Sequence, residues 1–104
     1  MLLIKIKMLF KGEIVMKILC VCGLGQGSSL ILRMNVEDIL KEKGIYADID
    51  NTDASSASFD RCDYIITSNE IANSVHNPKA KVIITSNYFN KIIIEKEISE
   101  IFSK

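Results

Sequence analysis

Residues 20–34 read CVCGLGQGSSLILRM, and in them a thiol, alternating glycines and a serine pair follow one another closely. Cys22 closes an apolar run, Gly23, Gly25 and Gly27 punctuate a loop, and Ser28 and Ser29 open what reads as a helix. Glycines at alternate positions let successive backbone N–H groups converge with no Cβ in the way, which makes a concavity for an anion. A helix N-terminus adds unpaired N–H groups and the positive end of its dipole. The Ser28 and Ser29 hydroxyls can cap that helix or donate to a phosphoryl oxygen. A thiol facing such a field is acidified, and the thiolate is the nucleophile. The chemistry this assembles is attack of Cys22 on a phosphoryl group whose oxygens the loop holds. The plainer alternative is a tight strand-to-helix turn with an incidental cysteine.

Familiar phosphate loops do not fit. A nucleotide P-loop needs a lysine before the serine pair, and the G-x-G-x-G spacing lacks the closing gap of a dinucleotide fingerprint. A low-molecular-weight phosphatase needs an arginine six residues after its cysteine to grip the phosphoryl group bidentately. That position is Ser28 here. Arg33 lies about a turn and a half farther along the helix and cannot fold back into the loop. No acid is clearly placed to protonate a leaving group.

The elements around the loop read as strand–helix alternation. Residues 17–22 form a short, continuously apolar run ending in glycine, as a buried parallel strand does. A helix is expected over 28–43, with Leu30, Ile31, Met34, Ile39 and Leu40 at mostly helical spacing and Gly44 as its left-handed stop. Residues 45–50 alternate and read as a second strand nearer an edge. Residues 51–61 are polar and serine-rich, a loop or short helix. The letters IITSN then occur twice, at 65–69 and 83–87. Each copy reads as a buried strand running out into Ser-Asn, natural N-caps for a following helix. The first helix is expected over 70–75, stopped near Pro78, and the second over 90–103 with Ile94, Ile98, Ile101 and Phe102 on one side. The sum is an α/β fold: three α/β/α layers about a small parallel sheet of roughly four strands, flavodoxin- or Rossmann-like. Ligands bind such sheets at the carboxyl ends of the strands. Ser68, Asn69, Ser86 and Asn87 should therefore share one edge with the cysteine loop, first as helix caps and then as its rim.

With 104 residues the chain supports one domain. Thirteen basic residues balance thirteen acidic ones, so no electrostatic footprint for nucleic acid is present. Three cysteines cannot all pair, and their spacing fits neither a zinc site nor a C-x-x-C redox motif. Neither a metal nor a cofactor is expected. Free thiols imply the cytosol. No apolar run approaches the roughly 18–20 residues that span a bilayer. Cys20 reads as a small core residue, Cys62 as inert and His76 as a surface residue beside Pro78. The Gln26 amide is suited to hydrogen-bond a phosphoryl group or partner, or simply to face water. Leu24, Leu30, Arg33 and Met34 suit a docking surface beside the cysteine, while Leu30 and Met34 suit the sheet-facing side equally well.

The stretch KILCVCGLGQGSSLILRM resembles the enzyme IIB component of the sugar phosphotransferase system, most closely its ascorbate-type branch. The likeness is strong through the first strand, loop and first helix, and beyond them holds in pattern only. It implies that Cys22 accepts a phosphoryl group from a histidine of enzyme IIA and passes it to a sugar or ascorbate as the membrane component IIC transports it. It implies that Gly23, Leu24, Gly25, Gln26, Gly27, Ser28 and Ser29 form the phosphate-binding loop. It further implies a cytoplasmic protein held at the inner membrane through IIC. The missing arginine suits a relay, which must hold phosphocysteine without hydrolysing it. Two other readings stay open: a non-catalytic module that senses an anion, and, more distantly, a phosphatase-like enzyme.

Residues 1–15 have no counterpart in that resemblance. Lysines interrupt their apolar stretch and no small-residue cleavage site follows, which argues against a signal peptide. They read either as an extra edge strand or as a translated leader before a true start at Met16. Lys11-Gly12-Glu13 can be encoded by a purine-rich run containing AAGGAG, spaced as a ribosome-binding site would be. The expected functional domain is 16–104. Mass spectrometry of the natively expressed protein should find a chain beginning at Met16; a mature N-terminus at Met1 would overturn this.

Overall fold

The computed structural model describes residues 16–22 and 26–102, with backbone alone for Gln26 and Gly27. The elements in order are β1 (Met16–Cys22), α1 (Gln26–Glu42), β2 (Ala47–Asp53), α2 (Ala54–Phe59), β3 (Tyr64–Thr67), α3 (Asn69–Ala72), β4 (Lys81–Ile84), α4 (Lys91–Glu97) and α5 (Ser99–Phe102). All strand pairs are parallel and the order across the sheet is β2-β1-β3-β4. Among the described residues the chain forms the expected α/β sheet of four parallel strands. The extension at 1–15 lies outside the described residues.

β1 is central, and its side chains alternate between two cores. Ile18 and Cys20 pack with Leu32, Val36, Ile39 and Leu40 of α1 and with Ile94, Ile98 and Ile101 of α4 and α5. Leu19 and Val21 pack on the opposite face with Ala57 of α2, Ile65, Cys62 and Val75. A strand buried on both faces must be apolar at every position, which is why the run 18–22 has no polar interruption.

α1 starts two residues before its expected position, and its packing selects one of the two phases left open for it. Its inward stripe is Ser29, Leu32, Val36, Ile39 and Leu40, whereas Leu30, Ile31 and Met34 face outward. Apolar residues occur in both phases, so spacing alone does not choose between them; contact with β1 does. The helix begins at Gln26, which places Ser28 and Ser29 inside its first turn rather than at its cap. The stop is as expected. Gly44 has φ +73, the Ile45 N–H donates to the Leu40 carbonyl (2.9 Å) and the Gly44 N–H to the Lys41 carbonyl (3.1 Å). Those two bonds close a Schellman motif.

β2 is also displaced, to Ala47–Asp53. Gly44 and Ile45 are engaged in the helix stop, and β1 pairs in register from Met16↔Ala47 to Cys22↔Asp53. Polar Asn51, Thr52 and Asp53 are accommodated because β2 is an edge strand among the described residues. The serine-rich segment after it is helical, with Asp53 as N-cap accepting from the Ser56 N–H at 2.8 Å. That hydrogen bond holds the Asp53 carboxyl below its ordinary range.

The two IITSN copies diverge after their strands. Ser68 occupies the N-cap position of α3, which is a single turn, shorter than the helix expected over 70–75. Ser86 and Asn87 do not cap α4. Asn90 does, accepting from the Ile93 N–H at 3.1 Å. The C-terminal helix is broken at Ile98, whose backbone leaves helical geometry at φ −100, ψ 17.

Two outcomes follow from this packing. Ile94 is fully buried between α1 and the sheet, and Ile94→Ala should cost about 2–5 kcal/mol in urea denaturation. Burial pushes the Cys20 and Cys62 thiols up, with the Asp60 charge adding to the effect at Cys62. The folded chain therefore retains protons that the unfolded chain releases above about pH 8.5. Unfolding free energy should fall as pH rises past that point, and the fall should be shallower in Cys20→Ala.

Candidate functional site

Every strand points its carboxyl end to one edge, and the chain changes direction there between β1 and β3. From β1 it runs to β2 on one side and returns to β3 on the other. In parallel sheets this reversal leaves a crevice at the switch point. Cys22, the last residue of β1, lines a crevice of about 430 Å³ at this place. Ser28 from the first turn of α1 lines it too, as does Ser68 after β3. Ser86, Asn87, Tyr88 and Phe89 close the β4 side. The cysteine and both Ser-Asn turns thus meet at one edge, with Asn69 alone outside the lining.

Cys22 is 6% exposed, so its thiol sits in the crevice floor. Ser28 is half-buried at the mouth of the seventeen-residue α1, where first-turn N–H groups point outward. Ser29 is fully buried on the helix's inner side. Gly23, Leu24 and Gly25 lie outside the described residues. Glu70 is the one charged side chain among the described residues that line the crevice. Among the described residues, an anion bound here would meet backbone N–H groups, hydroxyls and the helix dipole, with no cation in the lining.

Arg33 is held elsewhere. Its guanidinium donates to Glu37 at 3.1 Å and to the Asn51 side chain at 2.8 Å, and lies 3.6 Å from Asp50. These contacts tie α1 to β2 and keep the arginine out of the crevice. Leu30, Ile31 and Met34 are 43%, 40% and 55% exposed on α1. Phe89, at the crevice itself, is 63% exposed. His76 is exposed, with its backbone N–H on the Ser58 hydroxyl. Cys20 is wholly buried in the core and Cys62 nearly so.

Sequence reasoning missed Tyr88, Phe89, Glu70 and Ile71 as site residues. Tyr88 and Phe89 follow the second Ser-Asn, and without knowing that β4 neighbours β3 they read as loop aromatics. The available signal was the repeat itself. Each copy ends a parallel strand, so whatever follows each Ser-Asn stands at the ligand edge.

Among the described residues no group of three or more His, Cys, Asp or Glu is arranged to hold a metal ion. No helix among them is long and apolar enough to cross a membrane. A search of curated proteins found no match. The profile of one family, described as the lactose/cellobiose-specific IIB subunit of the PTS system, matches residues 17–101, from β1 into α5. That match embraces the sheet and the whole ligand edge, and the chain belongs to this phosphotransferase-system IIB family.

Proposed function

We propose that this protein is the phosphoryl relay of a sugar phosphotransferase system, with Cys22 as the phosphorylated residue. Family membership makes it a phosphotransferase-system component in general terms. The residue, the donor and the acceptor are the further steps of this reading. In the first half-reaction the Cys22 thiolate attacks the phosphoryl group on a histidine of enzyme IIA. The N–P bond breaks and an S–P bond forms. In the second, a sugar hydroxyl presented by membrane enzyme IIC attacks phosphorus, the S–P bond breaks, the hydroxyl proton is released and the thiolate returns.

The observation that carries the reading is the meeting of Cys22 with Ser28 and the α1 mouth at the switch-point crevice, with no cation lining it among the described residues. Gly23, Leu24, Gly25, Gln26, Gly27, Ser28 and Ser29 serve as the phosphate-binding loop, through backbone N–H groups and hydroxyls. Arginine in this position would assist hydrolysis. Its engagement with Glu37 and Asn51 instead favours a relay over a phosphatase. Phe89 at the crevice, and Leu30, Ile31 and Met34 exposed on α1, offer apolar side chains to partner proteins. The acceptor is ascorbate or a related sugar, an assignment supported by the Cys-Gly-x-Gly-Gln-Gly-Ser-Ser pattern of the loop. The protein acts in the cytoplasm, at the inner membrane through IIC, and residues 1–15 are an extension outside the relay domain.

Intact-protein mass spectrometry tests this after incubation with phosphoenolpyruvate, the general phosphotransferase proteins and a cognate IIA. One added phosphate is expected on the wild type and none on Cys22→Ser. The phosphate should leave on addition of IIC membranes and the transported sugar, with ascorbate the first to try. No phosphate from a demonstrably charged IIA would leave an anion-binding module. Steady turnover of an aryl phosphate would favour a phosphatase.

A further inference from the structure

The β1–β3 ladder ends at Cys20↔Ile66, one residue before Val21, although β1 stays paired with β2 as far as Cys22. Where the ladder stops, side chains take over. The Val21 carbonyl accepts a hydrogen bond from the buried Thr67 hydroxyl at 3.0 Å and from the Tyr88 phenol at 2.5 Å. Both donors act on the peptide group that carries Cys22. Two hydroxyls on one carbonyl are more than satisfying a buried acceptor requires, since one partner suffices.

The segment bearing Tyr88 is itself tied down from several directions. The Glu97 carboxylate of α4 accepts from the Thr85 hydroxyl at 2.6 Å, the Ser86 N–H at 3.1 Å and the Ser86 hydroxyl at 3.0 Å. Asn35 of α1 donates to the Tyr88 carbonyl at 3.0 Å. The Asn87 side chain accepts from the Phe89 N–H at 2.9 Å. A surface connection between a strand and a helix is ordinarily mobile. This one is anchored at residues 85, 86 and 88, and its tyrosine reaches back to the nucleophile strand.

Building on the relay reading, we infer that Thr67 and Tyr88 are positioning residues for Cys22, and that Glu97 is the anchor that holds Tyr88 in place. The pair fixes the end of β1 on its β3 side, where the β1–β3 ladder has stopped. The thiol then keeps one direction while the phosphoryl group arrives and departs. Phosphoryl transfer requires the entering and leaving atoms in line, so a loosened Cys22 loses rate even where the loop still binds phosphate.

Rapid-quench kinetics with phosphorylated IIA would compare wild type, Tyr88→Phe, Thr67→Val, Thr67→Ser and Glu97→Gln. In parallel, the pH profile of Cys22 alkylation by iodoacetamide would be read by peptide mass spectrometry. Tyr88→Phe and Thr67→Val should each slow charging at saturating IIA about tenfold, with little change in the half-saturating IIA concentration. Thr67→Ser, which keeps the hydroxyl, should restore the rate, and Glu97→Gln should slow charging by a smaller factor. The alkylation profile should shift in Tyr88→Phe and Thr67→Val but not in Thr67→Ser. Should Thr67→Val misfold, as urea denaturation would show, Tyr88→Phe decides alone. Wild-type charging rates in Tyr88→Phe, with an unchanged alkylation profile, would overturn the inference and leave the relay standing. If the wild type takes no phosphate at all, the relay reading fails, and the alkylation profiles alone decide whether Thr67 and Tyr88 position the thiol.

Discussion

The double burial of β1 is the constraint from which the rest of the structure follows. Its seven residues pair with β2 on one side and partly with β3 on the other, while its side chains divide between two separate cores. Each core needs a helical layer of its own, hence α1, α4 and α5 on one face and α2 with α3 on the other. A polar residue anywhere from Ile18 to Val21 would be stranded in one of them. A central strand flanked on both sides also forces the chain to reverse direction beside it. The crevice at Cys22 is therefore a by-product of topology before it is a site.

Chemistry is concentrated where that constraint relaxes. At the amino end the Lys17 N–H is held by the Asp63 carboxylate at 2.8 Å, and the Asp63 N–H by the Lys17 carbonyl. At the carboxyl end β1 outlasts its partner β3, and hydroxyl groups replace ladder bonds. An apolar strand thus delivers a thiol to a place lined by hydroxyls and a helix mouth. The two other thiols have no comparable surroundings. Cys20 is sealed between α1 and the sheet, and Cys62 packs against the opposite face.

Much of this was legible in the letters. The run 18–22 announced a buried strand because no polar residue interrupts it, and Gly44 announced the helix stop because only glycine takes φ +73 at little cost. The repeated IITSN announced two parallel strands opening on one edge. Other features were not legible. The phase of α1 was ambiguous, since residues 30, 31 and 34 are as apolar as 32, 36 and 39. β2 was misplaced because its end is polar and its identity as a strand comes from pairing with β1. The second Ser-Asn failed as a helix cap because Glu97, eleven residues farther on, engages Ser86.

The sequence by itself determined the fold class, the central strand, the cysteine at its end and the glycine-serine turn into a helix. These are local matters: periodicity, backbone freedom and capping act within a few residues. Tertiary structure alone decided that Tyr88 and Phe89 stand beside Cys22, that Arg33 is tied to β2, and that the Val21 carbonyl is shared by Thr67 and Tyr88. Those partners lie 46 and 67 positions from Val21 in the chain. Only the strand order brings them together, and strand order is set by how two cores close around one sheet.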